Sequence, residues 1–279
     1  MTTIAHLSDL HFGVEDAAVQ DGLLRDLVRA RPAAVVVSGD LTQRARPGEF
    51  LAARRFLRHL PAPALVVPGN HDVAPLHRPL ERLHDPFGAY QAHIDRDLEP
   101  ALQVDGLTLL GLRTPRAMAV SGGRISAEQL LRLRERLRAL PPGGVRVLVA
   151  HHPFLSPTWG RHHRLVRRGD EALSVLDACD VDLLMAGHFH VTFVRGTHAY
   201  PALRGRTLVV QAGTALSRRL RGEPNSYNLV ELHGDEVRVE VRVWEHDRFV
   251  EGNRDLYRRD DGRWQRVGGF SRSMAHLGG

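Results

Sequence analysis

The chain contains no lysine: all 38 of its basic residues are arginine, against 32 acidic residues, for a formal charge of +6. Arginine does not titrate in the accessible range, so this charge is permanent. It favours phosphate-bearing or nucleic-acid partners, although an all-arginine alphabet is equally explained by codon usage in a GC-rich genome. There is a single cysteine, Cys179, which excludes an internal disulfide framework and agrees with a reducing compartment. No apolar run approaches the ~20 residues that span a bilayer, and the first residues lack a basic region followed by an apolar stretch. A soluble, cytoplasmic chain is the expectation. Internal repeats, low-complexity tracts and Gly/Ser linkers are also missing, so a single domain is favoured for these 279 residues.

Short apolar runs at residues 4–7, 33–37, 64–67, 107–112, 145–150, 181–186 and 208–210 read as strands buried on both faces. Between them lie helical periods: Val19, Leu23, Leu24, Leu27 and Val28 on one face, and Phe50, Ala53, Phe56, Leu57 and Leu60 on another, entered near Pro47. The clearest helix runs over 126–140, with Ser126 and Gln129 spaced as a capping box and Pro141 ending it. The alternation is that of an α/β protein. Beyond residue 224 the period shortens to two: Val237, Val239, Val241 and Val243 alternate with Glu236, Arg238, Glu240 and Arg242, which predicts an antiparallel hairpin. Residues 246–279 are polar and glycine-rich, with Tyr257 and Trp264 as anchors, and read either as an added strand pair or as a partly ordered tail.

Polar residues able to bind cations gather just after the predicted strands, where open α/β sheets place their sites. Asp9 and His11 follow the first run, Gly39-Asp40 the second, Asn70-His71-Asp72 the third, His151-His152-Pro153 a later one, and His188-Phe189-His190 the next. Taken singly, each is ordinary turn or cap chemistry. Five in succession at strand ends, offering two carboxylates, an amide and four imidazoles, instead match what a two-metal hydrolytic centre requires.

With these motifs in place, the sequence resembles the calcineurin-like metallophosphoesterase family: Asp-x-His, Gly-Asp, Gly-Asn-His-Asp, His and Gly-His-x-His all occur in order over residues 2–245. The resemblance implies a four-layer αββα sandwich, two mixed β-sheets flanked by helices, over residues 1–245, with 246–279 as a C-terminal extension packed on it. It also implies that Asp9, His11 and His190 bind one divalent metal ion, that Asn70, His151 and His188 bind a second, and that Asp40 bridges them. His71 would be catalytic without being a ligand. His151 is preferred to His152 because it follows the strand directly and Pro153 restricts the residue before it. Asp72 either orients the His71 imidazole or caps the turn.

Two such ions, about 3.5–4 Å apart, would share a water, lower its pKa and present hydroxide in line with phosphorus. Oxygen and imidazole donors suit Mn, Fe, Zn or Co, and the lack of cysteine ligands argues against a closed structural zinc site. The opening Ala5-His-Leu-Ser-Asp-Leu-His resembles the bacterial cyclic-nucleotide phosphodiesterase branch, so a small phosphodiester, a nucleotide among the candidates, is the expected substrate. The alternatives are a UDP-2,3-diacylglucosamine-type pyrophosphohydrolase, a nuclease, for which the chain lacks the usual further DNA-gripping domains, and a non-catalytic scaffold, which the complete ligand set disfavours. Segments 72–100 and 153–170 should form the rim, where Trp159, Arg161, His162, His163, Arg164, Arg167 and Arg168 could stack on a base or clasp a second phosphate. The exposed hairpin would also serve a homodimer, though a half-buried sheet explains it equally.

Overall fold

The valine- and leucine-rich runs form strands because β-branched and apolar side chains fit a pleated surface buried on both sides. A computed structural model describes residues 2–119, 121–156, 165–197 and 203–271. In chain order the first half comprises β1 (Thr2–Leu7), α1 (Ala17–Ala30), β2 (Ala34–Val37), α2 (Pro47–Arg58), β3 (Ala64–Val66), α3 (Pro79–His84), α4 (Gly88–His93), β4 (Ala101–Val104), β5 (Leu107–Leu112) and α5 (Ala127–Arg138). The second half comprises β6 (Val145–Ala150), α6 (Gly169–Ala178), β7 (Leu183–Ala186), β8 (Phe193–Gly196), β9 (Leu208–Gln211), β10 (Ser226–His233), β11 (Glu236–Glu245), β12 (Arg248–Asp260) and β13 (Arg263–Phe270).

These strands make two mixed sheets, ordered β13-β12-β11-β10-β1-β2-β3 and β4-β5-β6-β7-β9-β8. Period-two alternation divides each buried strand between two cores. Ile4, Ala34 and Val36 from the first sheet meet Val147, Val149 and Met185 from the second in the layer between the sheets. Their neighbours Ala5, Leu7, Val35 and Val37 face outward onto Leu23 and Leu27 of α1 and Phe50 and Phe56 of α2. Leu148, Ala150 and Leu184 likewise face Leu133 and Leu137 of α5 and Leu173 and Leu176 of α6. The result is the expected αββα order of layers.

Several local expectations shift. Val28 is 58% exposed rather than on the buried stripe of α1. The run at 181–186 becomes a strand only from Leu183, because the Val181 amide still bonds the Leu176 carbonyl and closes α6. The edge strands β4 and β8 and the short helices α3 and α4 carry no strong apolar period, and their formation depends on the sheets they border. The predicted hairpin is β10 and β11, which extends the first sheet by pairing β10 antiparallel with β1. The polar stretch after it forms β12 and β13, whose Tyr257 and Trp264 enter the intersheet core.

Helix α1 is tied to this extension by Asp26, which accepts from the Tyr227 hydroxyl at 2.7 Å and from Arg242 Nε and Nη2 at 2.9 Å each. Close by, Gly22 lies against the Trp244 ring, and a Cβ there would overlap it. Gly22→Ala gains helix propensity of ~1 kcal/mol yet is expected to destabilise the chain by about 1–3 kcal/mol net. Denaturant unfolding checks this, and a stabilised variant would contradict the packing argument.

Candidate metal centre

The carboxyl ends of β1, β2, β3, β6 and β7 converge at one end of the two sheets, and each delivers its motif at a sharp turn. Asp9, His11, Asp40, His188 and His190 all have positive φ, at 52°, 48°, 53°, 77° and 59°. This region costs a non-glycine residue roughly 1–2 kcal/mol, so the surrounding structure must impose it. Glycines permit the close approach: a Cβ on Gly69 would overlap the Asp40 carboxylate, and one on Gly187 would overlap Ser8 Oγ.

All eight predicted site residues come together. Around Asp9, the Oδ1 atom lies 3.1 Å from His190 Nε2 and 3.7 Å from His11 Nε2, and these two nitrogens are 3.2 Å apart. A second group centres on His151 Nε2, which lies 3.2 Å from Asn70 Oδ1, 3.2 Å from His188 Nδ1 and 3.4 Å from Asp40 Oδ1. Asp40 also reaches the first group, its Oδ2 lying 3.9 Å from His11 Nε2.

Backbone carbonyls fix the ring nitrogens. His151 Nδ1 donates to Ser38 O at 2.8 Å, His190 Nδ1 to Arg219 O at 3.0 Å and His71 Nδ1 to Gln43 O at 2.7 Å. A carbonyl only accepts, so each Nε2 of a neutral ring presents a lone pair inward. There the lone pair of His190 confronts Asp9 Oδ1, a buried oxygen with no hydrogen-bond donor, and that of His151 confronts the oxygens of Asn70 and Asp40. Facing lone pairs in a buried site repel unless a proton or cation lies between them. The donor set therefore fits divalent cations.

Protonation follows the same charges. Burial pushes both carboxyls up, but His190, His11 and His151 outweigh it at Asp9, as do His151, His71 and His11 at Asp40, and both are held below the usual carboxylate range. His151 is disfavoured as a cation by burial but raised by Asp40 and Asp9 to about 9. His188 is lowered to about 4 by burial and by His151.

Asp72 proves to be the turn cap. Its carboxylate accepts from the Gly69, Leu41 and Thr42 amides at 2.9, 3.1 and 2.9 Å and from Thr42 Oγ1 at 3.0 Å, which turns it away from His71. The Gln43 carbonyl takes the orienting role instead. His152, adjacent to the preferred His151, pairs through Nδ1 with Thr114 Oγ1, 2.8 Å away, and one of its ring nitrogens lies within 4.8 Å of ring nitrogens of His151 and His188. Sequence reasoning also passed over Arg219, whose Nη1 lies 2.9 Å from His71 Nε2. The signal was the Arg218-Arg219-Leu220-Arg221 string just beyond the β9 strand end. Of the rim residues, Trp159, Arg161, His162, His163 and Arg164 lie outside the described residues, whereas Arg167 and Arg168 line a cleft beside the centre.

The sequence model of the calcineurin-like phosphoesterase family matches residues 2–192. The chain belongs to that family. The phosphoesterase is 30% identical over 257 residues to a cAMP/cGMP dual specificity phosphodiesterase of Mycobacterium tuberculosis, covering 84% of this chain and 77% of that protein. It is 26% identical over 205 residues to a probable cyclic nucleotide phosphodiesterase of a Synechococcus species, covering 70% and 75%. In fold it is similar to a purple acid phosphatase from yellow lupin, with a TM-score of 0.69 at 12% identity over 90% of this chain and 52% of that one. The phosphoesterase is a metal-dependent enzyme by family, and no helix among its described residues is long and apolar enough to cross a membrane.

Proposed function

We propose that the chain is a dinuclear phosphodiesterase acting on a small diester such as a cyclic nucleotide. Asp9, His11 and His190 would hold one divalent ion, Asn70, His151 and His188 the other, and Asp40 both. The observation that carries this reading is the reach of Asp40, whose two oxygens approach His151 Nε2 and His11 Nε2, members of separate donor groups, at 3.4 and 3.9 Å. When bound, the ions supply an activated water and positive charge for the phosphoryl group.

The chain's own residues do the rest. The Gln43 carbonyl holds the Nδ1 hydrogen of His71, so Nε2 is the atom that faces the reacting group, where it takes up a proton from solvent and hands it to the leaving oxygen. The Ser38 and Arg219 carbonyls keep His151 and His190 in their ligating tautomers.

A cleft of about 1040 Å³ adjoins the centre, its described lining including Arg113, Arg116, Arg124, Arg167 and Arg168 and no aspartate or glutamate. Its Gly123 packs on His152, the neighbour of His151 and His188: a Cβ there would lie 2.5 Å from His152 Cγ. Such a cleft suits a substrate with an anionic or aromatic portion beyond the scissile phosphate, as a nucleotide has.

The test is a manganese-supplemented screen of a chromogenic diester, a chromogenic monoester, cyclic AMP and a UDP-linked diphosphate, with metal analysis alongside. Faster diester than monoester turnover and two metal equivalents are expected, while a protein that binds no metal and hydrolyses nothing refutes the reading. His71→Ala should keep both metals while turnover falls by about 10²–10⁴-fold. Loss of metal in that variant would contradict the role given to His71.

A further inference from the structure

The segment 212–225 between β9 and β10 is fastened to the β1 end of the site. Ala215 N donates to Ser8 O at 3.0 Å, Thr214 Oγ1 to Asp9 O at 2.6 Å and Arg218 N to Val14 O at 2.9 Å, while within the segment Asn225 Nδ2 donates to Ser217 O at 2.9 Å. At its crest Arg219 faces the centre twice. Its carbonyl holds His190 Nδ1 at 3.0 Å, and its guanidinium reaches His71 Nε2 at 2.9 Å.

Among the described residues this guanidinium forms no ion pair and makes the one side-chain hydrogen bond to His71. It is half-buried, and burial and the nearby Arg221 both disfavour its charge. A guanidinium has five N–H donors and no acceptor, in a planar fork that matches phosphoryl oxygens. Four of those donors therefore stand beside the metal-capable cluster with no acceptor among the described residues.

We propose that Arg219 is a phosphoryl-binding catalytic residue: when a phosphoester occupies the centre, its guanidinium leaves His71 Nε2 and grips a non-bridging phosphoryl oxygen. The proposal rests on the phosphoesterase reading above and adds a protein cation to the charge that the metals supply. It also frees His71 Nε2 toward the leaving oxygen only once substrate is present. Hydrogen bonds that strengthen as charge builds on those oxygens act on the transition state more than on the ground state.

The side chain can be separated from the carbonyl, since substitution leaves the backbone contact to His190 in place. Metal content, calorimetric binding of inorganic phosphate to the manganese-loaded protein, and kcat and KM for the chromogenic diester are measured for wild type, Arg219→Gln and Arg219→Lys. Arg219→Gln is expected to keep its metal, bind phosphate about 10- to 100-fold more weakly and lose kcat more than KM. Arg219→Lys, which keeps the charge without the fork, should recover part of both. Phosphate affinity within twofold of wild type in Arg219→Gln overturns the proposal, and so does loss of metal in that variant, which would make Arg219 a support for the ligands. If wild type binds phosphate but hydrolyses no phosphoester, the enzymatic reading fails while the phosphate arm still decides whether Arg219 binds the anion.

Discussion

Asp40→Ala is expected to abolish binding of both metals and to lower diester turnover by at least about 10³-fold, more than any other single substitution at the centre. Removing a ligand of only one ion would leave the other group of donors intact, but the Asp40 carboxylate is the group that approaches both. Its Oδ1 also accepts from the His71 amide at 2.8 Å, so the alanine variant loses the anchor of the catalytic turn together with the bridging charge. Asp40→Asn separates these roles. The amide oxygen can keep the His71 contact while the negative charge is gone, so metal affinity should fall strongly with the fold of the turn preserved. Metal analysis after dialysis, set beside circular dichroism to show that the variants fold, gives the result. Retention of two metal equivalents by Asp40→Ala would exclude a bridging role.

The strands that carry the site were legible because their apolar runs are buried on both faces and each ends in a motif at the sheet's carboxyl edge. The order Asp9, Asp40, Asn70, His151, His188 along the chain becomes proximity in space for that reason. What escaped sequence reasoning depends on tertiary contact. Asp72 follows His71 directly and reads as its partner, yet the 3-10 turn at Asn70–Asp72 points its carboxylate at the turn's own Gly69 amide and at two amides and a hydroxyl of Leu41 and Thr42. Gln43 acts through its carbonyl, which no side-chain pattern reports. Arg219 lies in a loop with no period, and only the hydrogen bonds pinning 212–225 to the β1 end bring it to His71. The left-handed backbone at Asp9, His11, Asp40, His188 and His190 was equally hidden, since none of these is glycine, the usual mark of such geometry, and only Asp40 and His188 follow one.

Stripping the metals should make stability fall with pH between pH 6.5 and about 9, a dependence that bound metal removes. In the metal-free chain, burial opposes charge on His151, but Asp40 and Asp9 overcome it and raise its pKa from 6.5 to about 9. A raised folded pKa means that the native state holds more protons than the unfolded one across this window. The stabilisation is complete below pH 6.5 and is lost as pH rises through 9, at up to ~1.4 kcal/mol per unit. The neighbouring groups titrate elsewhere: His6 and His188, lowered mainly by burial to about 3 and about 4, and Asp72, raised by burial and Asp40 to about 6, all fall below the window. With metal restored, the inward lone pair of His151 is held by the cation, so above pH 6.5 the folded and the unfolded chain both carry this ring without a proton, and the pH dependence over the same interval flattens. Thermal unfolding at pH 6.5, 7.5 and 8.5, with chelator and with manganese, should give melting temperatures that fall with pH in the first series and stay nearly level in the second. Parallel slopes would show that His151 Nε2 does not face a cation, and with it the second half of the proposed dinuclear centre would be lost.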